Sequence, residues 1–279
     1  MSTIKTLLTH AANTLSGHSD SPLLDAEVLL GFVLGKPRTY LRAWCDNTLT
    51  DLQYATFDTL IKQRLQGVPV AYLTGTREFW SRDFTVTADV LIPRPDTELL
   101  IELSLALIPK NKAVKLIDLG TGSGIIAITI AAERPNAHVI AVDASLATLS
   151  VAQHNARQHQ LTHIEFYQSD WFTNVPDMLF DYVISNPPYI DPEDAHLQQG
   201  DVRFEPQTAL IADDQGLSDI KIIAATALRY LKPAGHLLIE HGYNQASQVQ
   251  AIFNVLAYDK VQSYRDLSGQ SRVTYGQKP

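Results

Sequence analysis

The stretch Asp118-Leu119-Gly120-Thr121-Gly122-Ser123-Gly124 follows a short apolar run, Val114–Leu119, and precedes a helical pattern over Gly124–Glu133. Alternate glycines let the backbone turn tightly and approach a ligand closely, and the helix N-terminus offers unpaired N–H groups. Ile125 occupies the place of the third glycine in the dinucleotide fingerprint, and no Gly-Lys-Ser/Thr ending is present. The stretch therefore predicts a strand, loop and helix that bind a nucleotide-like ligand without a polyphosphate.

The segments after this stretch alternate between strand-like and helix-like patterns, which predicts a mostly parallel sheet covered on both faces. We predict further strands at His138–Val142, Ile164–Gln168, Tyr182–Ser185 and His236–Glu240. We predict further helices at Leu146–Gln158, Leu217–Leu231 and Gln245–Leu256, and an antiparallel edge hairpin from Val261–Tyr264 and Arg272–Tyr275. The predicted fold class is thus α/β.

The first part of the chain has a helical pattern instead. An apolar stripe starting at Ile4, a helix start at Ser21-Pro22 and a capping-box pattern at Thr50 predict a small helical bundle. Strand-like pieces at Glu78-Phe79-Trp80 and Asp83-Phe84-Thr85-Val86 predict a hairpin after it. We therefore expect a helical bundle for protein-substrate binding at 1–74, a linker with a β-hairpin at 75–98 and an α/β domain at 99–279.

Acidic residues follow two of the predicted strands. Asp143 ends the strand after the glycine loop, where a carboxylate can accept both hydroxyls of a ribose. Asp170-Trp171 follows the next strand and combines an acceptor for an exocyclic amine with an indole that can cover a purine. Trp171 is also explained by core packing, because tryptophan is often buried. The three strand ends together predict an adenosine site.

The residues Asn186-Pro187-Pro188-Tyr189 follow the predicted strand Tyr182–Ser185. An amide side chain before two prolines places a carboxamide oxygen and a backbone carbonyl in one stiff turn, and the tyrosine ring closes it. This arrangement predicts a holder for a flat NH2 group.

Other polar residues have structural explanations that we prefer. Asp118 can brace the glycine loop by accepting backbone N–H groups. We interpret His241, which follows Glu240, and the acidic group Asp191, Glu193 and Asp194 as solvated loop residues. We expect no metal site, because no Glu or Cys ligands accompany the pair His159 and His163. No Gly-x-Ser-x-Gly nucleophile motif is present.

The overall charge argues against a broad nucleic-acid surface. The 279 residues contain 22 Lys and Arg against 30 Asp and Glu, a formal net charge of −8. Phosphate contacts carry much of the affinity for nucleic acids, so an acidic chain favours small molecules or a basic protein partner. We find neither a leader sequence nor a membrane-spanning run, and we expect a cytoplasmic monomer with no direct nucleic-acid or membrane partner.

The glycine loop, Asp143 and the Asn-Pro-Pro-Tyr turn resemble, in type and order, those of S-adenosylmethionine-dependent methyltransferases of the Rossmann-like class, which implies a Rossmann-like α/β domain; the turn resembles that of the members that act on planar nitrogen. The stretch Ile92-Pro93-Arg94-Pro95-Asp96-Thr97-Glu98, together with Gly67-Val68-Pro69-Val70-Ala71-Tyr72 and Glu78-Phe79, closely resembles the release factor glutamine methyltransferase family (PrmC, also called HemK). The resemblance covers nearly the whole chain.

This resemblance implies methyl transfer from S-adenosyl-L-methionine to the glutamine amide nitrogen in the Gly-Gly-Gln motif of class I peptide chain release factors. Asn186, Pro187 and Tyr189 are then the catalytic residues, and the whole turn Asn186 to Tyr189 binds the substrate. The implied cofactor-binding residues are Gly120, Thr121, Gly122, Ser123, Gly124, Asp143, Asp170, Trp171 and Asn186.

Three other functions stay open at this point. An exocyclic NH2 on a flipped adenine or guanine fits the same turn, which describes a nucleic-acid amino methyltransferase. Methylation of a glutamine in a ribosomal protein is the second, since it uses the same chemistry. A non-catalytic cofactor-binding or adaptor protein is the third, although the intact site residues argue against it.

Overall fold

The computed structural model describes residues Thr3–Pro279 and divides into two compact units. One unit holds the chain up to Thr76 together with Gln198–Phe204. The other holds Arg77–Leu197 and Glu205–Pro279. The short segment Gln198–Phe204 thus belongs with residues far away in the chain, which local patterns do not indicate.

The first unit is a bundle of five helices: α1 (Ile4–Leu15), α2 (Pro22–Leu34), α3 (Arg38–Ala43), α4 (Asp51–Leu65) and α5 (Val70–Thr74). The predicted capping box is present, because Thr50 Oγ1 accepts from Gln53 N at 3.2 Å and Gln53 Oε1 accepts from Thr50 N at 2.9 Å. The core includes Leu15, Leu29 and Leu30, which are fully buried. Helices α3 and α5 were not predicted, since five or six residues are too few to show a helical period.

A half-buried arginine joins Gln198–Phe204 to the bundle. The Arg64 guanidinium donates to Asp25 Oδ2 at 2.7 Å and to Asp201 Oδ1 at 3.0 Å. Arg203 packs so closely against Gly67 that a Cβ at position 67 would lie 1.9 Å from its guanidinium nitrogen. The segment is therefore fixed by a charge pair and by the absence of a side chain at position 67.

The second unit opens with the predicted hairpin, β1 (Thr76–Phe79) and β2 (Arg82–Thr85), whose turn residues Trp80 and Ser81 both have positive φ. The remaining strands are β3 (Lys115–Leu119), β4 (His138–Asp143), β5 (Ile164–Gln168), β6 (Phe180–Ser185), β7 (Leu231–Glu240), β8 (Asp259–Arg265) and β9 (Ser271–Gln277). They form one sheet in the order β5-β4-β3-β6-β7-β9-β8. The pairs from β5 to β7 are parallel, and β9 pairs antiparallel with both β7 and β8. The predicted α/β class and edge hairpin are confirmed.

Helices cover both faces of this sheet. They are α6 (Thr97–Leu107), α7 (Ile125–Glu133), α8 (Leu146–Gln158), the short α9 (Asp213–Gly216), α10 (Ser218–Tyr230) and α11 (Ala246–Val255). Successive strand residues point to opposite faces, so Leu116 packs with α6 and α7 while Ile117 packs with α10 and α11. Helix α6 was not predicted, and β7 begins five residues before the predicted start at His236.

Candidate active site

The strand order changes direction between β3 and β6. From β3 the chain proceeds outward through β4 and β5, and it then returns to place β6 on the other side of β3. Leu119 pairs with Val142 in β4 and with Ser185 in β6, so Gly120, Asp143 and Asn186 follow three neighbouring strands at one level. Ligands of open α/β sheets bind at such a switch point, outside the carboxyl ends of the strands.

The glycine loop leaves β3 in a left-handed conformation. Gly120, Gly122 and Gly124 have φ of 71°, 57° and 88°, values that cost other residues conformational energy. A Cβ at position 120 would lie 3.2 Å from the Trp171 ring, and one at position 124 would lie 2.8 Å from Ile128. The glycines are therefore needed for the backbone turn and for close packing.

A buried acid braces this loop from below. Asp118 Oδ2 accepts from Thr121 Oγ1 at 2.7 Å and from Ala127 N at 3.2 Å. Burial raises the pKa of Asp118 to about 7, although the two hydrogen bonds oppose this shift. The bracing that we predicted for Asp118 comes through one backbone N–H, that of Ala127 at the start of α7, and also through the Thr121 hydroxyl.

Asp143 lies where the sequence placed it, at the end of β4. Its carboxylate accepts from Gly122 N at 3.1 Å and from Ser145 N at 3.0 Å. Burial raises the pKa of Asp143, and these backbone bonds oppose the rise. Each carboxylate oxygen accepts more than one hydrogen bond, so Asp143 retains capacity for hydroxyl donors.

Asp170 and Trp171 follow β5, the edge strand next to β4. The Trp171 ring lies against Gly120, and its Nε1 donates to Asp219 Oδ1 at 3.3 Å. The ring also packs against the core on the α10 side of the sheet. The sequence suggested core packing and a position in the site as alternatives for Trp171, and its ring has both. Asp170 is exposed.

The Asn-Pro-Pro-Tyr turn is held from several directions. Asn186 Nδ2 donates to Thr97 Oγ1 at 3.2 Å, and Gln245 Nε2 donates to the Tyr189 carbonyl at 2.9 Å. Gly216, at φ 78°, packs so closely that a Cβ there would lie 2.1 Å from the Tyr189 carbonyl oxygen. The turn is therefore stiffened by its prolines and by neighbouring chain segments.

His241 is buried, so our interpretation of it as a solvated loop residue is wrong, and Glu240 beside it is buried as well. Glu240 ends β7, beside the strand that carries the turn, and burial raises its pKa to about 7. Burial lowers the pKa of His241, which bonds Thr274 Oγ1 and the Gly242 carbonyl. Both residues lie at the end of an apolar strand, which is the signal that identified Asp143.

A cavity of about 460 Å3 opens between these loops. It brings together most of the predicted residues: Gly120, Thr121, Gly122, Ser123, Asp143, Asp170, Trp171, Asn186 and Pro188. Gly124, Pro187 and Tyr189 do not line it. Its volume falls within the roughly 300–1,000 Å3 of small-molecule sites.

The sequence did not indicate several residues that line the cavity, among them Asp89, Arg94, Thr97, Thr148, Thr208 and Asp219. Four carboxylates, those of Asp89, Asp143, Asp170 and Asp219, line it against one guanidinium, that of Arg94. Arg94 is paired with Glu205 at 2.6 Å. This charge balance disfavours a polyphosphate and suits a ligand with a positive charge and several hydroxyl or amine donors.

No cluster of His, Cys, Asp or Glu suited to a metal ion occurs within residues 3–279. Among the described helices, none combines the length and apolar character needed to cross a bilayer.

Two family models match the chain. Residues 6–75 match the PrmC N-terminal domain, and residues 96–205 match the methyltransferase small domain. Among solved structures, a methyltransferase from Pyrococcus furiosus has a TM-score of 0.54 at 14% identity, covering 78% of this chain and 96% of its own. The T. thermophilus 16S rRNA N2 G1207 methyltransferase, solved with AdoMet and guanosine, has a TM-score of 0.53 at 18% identity, covering 73% and 50%. At such identities these structures establish the fold alone.

Full-length relatives are much more similar. The release factor glutamine methyltransferase of Salmonella typhimurium is 46% identical over 96% of both chains. Those of Shewanella oneidensis and Coxiella burnetii are 47% and 43% identical, covering 94% and 98% of this chain and 91% and 98% of their own. The predicted resemblance is confirmed: the chain is a methyltransferase and belongs to the release factor glutamine methyltransferase family.

Proposed function

We propose that this protein transfers a methyl group from S-adenosyl-L-methionine to the side-chain amide nitrogen of the glutamine in the Gly-Gly-Gln motif of class I release factors. The observation that carries the proposal is the position of Asn186. It follows β6 at the switch point and lines the same cavity as Gly120 and Asp143. An amide holder and a nucleoside-type site thus share one cavity, and the relatives named for this reaction support the choice of substrate.

The residues present fit S-adenosylmethionine. Asp143 would accept the ribose hydroxyls, Asp170 would accept from the adenine amine, and Trp171 would cover the adenine face. The acidic lining favours the positive charge of the sulfonium, and the glycine loop, Gly120 to Gly124, would lie along the ligand. When bound, this cofactor supplies an electrophilic methyl group.

The turn would hold the glutamine. An amide nitrogen is a weak nucleophile because its lone pair is delocalised into the carbonyl, so orientation must supply much of the rate. Asn186 Nδ2 is engaged by Thr97, which leaves Oδ1 as the acceptor that the side chain presents. Asn186 Oδ1 and the Pro187 carbonyl would each accept one N–H of the substrate amide, Tyr189 would pack against its plane, and Pro188 would keep the turn rigid.

The substrate assignment has a direct test. The protein is incubated with methyl-labelled S-adenosylmethionine and, in separate reactions, with a class I release factor, the same factor with its Gly-Gly-Gln glutamine changed to alanine, total ribosomal protein, and DNA. We expect label in the intact release factor alone, at the glutamine, as located by peptide mass spectrometry. Label in DNA, or label indifferent to the glutamine substitution, would overturn the proposal, and label in a ribosomal protein alone would move the substrate to that protein.

A further inference from the structure

Glu240 is a buried acid that the proposed mechanism does not yet use. It is the last residue of β7, and β7 pairs in parallel with β6 so that Ile239 lies opposite Ser185. Glu240 therefore lies beside the first residue of the Asn-Pro-Pro-Tyr turn. Its side chain is fully buried, and neither carboxyl oxygen has a hydrogen bond of normal geometry within the described residues 3–279. A buried acid without a well-formed hydrogen bond is costly, so its retention calls for an explanation.

Two hydroxyls of the site lie next to this carboxyl. Those of Thr97 and Tyr189 are close enough to oppose the rise in the pKa of Glu240 by hydrogen bonding, although neither reaches normal hydrogen-bond geometry. Thr97 is itself fully buried, and its Oγ1 already accepts from Asn186 Nδ2 at 3.2 Å. The single proton of the Thr97 hydroxyl is therefore available to Glu240. Glu240, Thr97 and Asn186 are thus neighbours from the end of β7 to the turn; the bond between Asn186 and Thr97 is formed, and a bond from the Thr97 hydroxyl to Glu240 would complete a hydrogen-bond chain.

We propose that Glu240 is a positioning residue that sets the direction of this hydrogen-bond chain, so that Asn186 presents its oxygen, and not its NH2, to the substrate amide. The proposal rests on the proposed function, in which Asn186 Oδ1 accepts an N–H of the glutamine.

The direction follows from what each group can donate. An ionised carboxylate only accepts, so it draws the Thr97 proton toward itself, and Thr97 Oγ1 then accepts from Asn186 Nδ2. Asn186 Oδ1 is left to face the substrate. A protonated Glu240 can donate to Thr97 instead, and Thr97 can then donate to Asn186 Oδ1. The reversed amide would present its NH2 to the NH2 of the substrate, and two donors do not bond.

Charged groups around Glu240 decide where this change occurs. Burial is the main reason that the pKa of Glu240 is raised to about 7; Asp96, which precedes α6, contributes to the rise, and Arg272 on β9 opposes it. Asp96 and Arg272 are themselves paired at 2.9 Å. Tyr189 faces the carboxyl from the turn with its own pKa raised by burial, and the neighbouring His241 has its pKa lowered by burial. Turnover at saturating cofactor should therefore rise with pH through about 7.

The test compares Glu240→Gln with the wild type, measuring kcat and KM for the protein substrate across about pH 5 to 9 at saturating S-adenosylmethionine. Glutamine keeps the shape of the side chain but can donate as well as accept. We expect kcat to fall at least about tenfold and the rise of kcat near neutral pH to disappear. Cofactor affinity should stay within about twofold of the wild type, because Glu240 acts on the turn and not on the bound cofactor. The exposed Glu102→Gln is the matched control, with the pH profile of the wild type expected.

A second pair of variants keeps the test decisive if Glu240→Gln does not fold. Thr97→Val removes the link in the chain, and Thr97→Ser should rescue most of the turnover that Thr97→Val loses. The double variant Glu240→Gln with Thr97→Val should be no slower than the slower single variant, because both interrupt one chain. Folded variants with an unchanged pH profile, or losses that add, would overturn the proposal.

Asn186→Ala, run in parallel, separates the two ideas: if it retains turnover, the proposed function fails, and if it alone loses turnover, only the role of Glu240 fails.

Discussion

The carboxylate of Asp143 accepts a hydrogen bond from the backbone N–H of Gly122 at 3.1 Å, so the end of β4 holds the loop that follows β3. The two parts of the predicted nucleoside site are thus one connected unit. Loss of the Asp143 carboxylate should affect the loop as well as the ribose contact.

We therefore predict that Asp143→Ala weakens S-adenosylmethionine binding by about two orders of magnitude, corresponding to roughly 2–3 kcal/mol for lost hydrogen bonds to a charged group. Isothermal titration calorimetry measures this loss. Asp83→Asn removes an acid on the hairpin outside the cavity and serves as the control, with wild-type affinity expected. An Asp143→Ala affinity close to that of the control would show that Asp143 does not contact the cofactor.

Gly120→Ala should impair cofactor binding because two costs combine there. The residue has φ of 71°, and a Cβ would lie 3.2 Å from the Trp171 ring. Gly75 has the same φ of 71° with nothing within 4 Å of a Cβ, so Gly75→Ala is the matched control for backbone strain alone. We expect Gly120→Ala to change the tryptophan fluorescence and to weaken cofactor binding by at least about tenfold, and Gly75→Ala to cost stability without either effect. Equal behaviour of the two variants would contradict the ring contact.

Most of the sheet could be predicted because its strands are short apolar runs separated by clear helices. Asp143, Trp171 and Asn186 were found because each follows such a run directly. The same rule applied to Glu240, the last residue of the predicted strand His236–Glu240, would have indicated a site residue, but we assigned it no role. Helix α6 was missed because Thr97–Leu107 is apolar on most sides and shows little periodicity.

Other parts of the site had no local signal. Thr208, in the single 3-10 turn Gln207–Ala209, lines the cavity through contacts that depend on the complete fold. Gln198–Phe204 belongs to the first unit through Arg64 and Asp201, which lie 137 positions apart in the chain. Such long-range pairs leave no period or motif in a single sequence.

Asn186→Ala should abolish methyl transfer while cofactor binding stays largely in place. The substitution removes the acceptor for the substrate amide, whereas Gly120, Asp143 and Trp171 remain. We expect transfer to fall by at least about two orders of magnitude, as for loss of a preorganised polar contact at the reacting group. Single-turnover assays with labelled cofactor measure the rate, and calorimetry measures the affinity. Unchanged turnover would show that the turn does not hold the amide.

Gly216→Ala tests whether the position of the turn matters apart from its own residues. A Cβ at position 216 would lie 2.1 Å from the Tyr189 carbonyl oxygen, so the turn must shift. Gly269 is a close control, since its φ is 80° against 78° at Gly216 and nothing lies within 4 Å of a Cβ. Because small displacements of positioning groups have large effects on rate, we expect about a hundredfold loss of transfer in Gly216→Ala. Gly269→Ala should retain its activity, and equal rates for the two variants would mean that the turn tolerates displacement.

Asp118 gives a prediction about stability and pH. Burial raises its pKa to about 7 in the folded protein, from 3.8 for an unperturbed aspartate. The folded state therefore binds the proton more tightly than the unfolded state, so the contribution of Asp118 to stability is complete below about pH 4 and is lost as the pH rises through about 7. Asn at this position stays neutral and can still accept from the Thr121 hydroxyl. The free energy of unfolding of Asp118→Asn relative to that of the wild type should thus increase between about pH 5 and 8, by at most about 1.4 kcal/mol per pH unit. The melting temperature of the variant relative to the wild type should increase with it. Calorimetric melting of both proteins across this range provides the measurement, and a difference that stays constant with pH would mean that Asp118 is already ionised at pH 5.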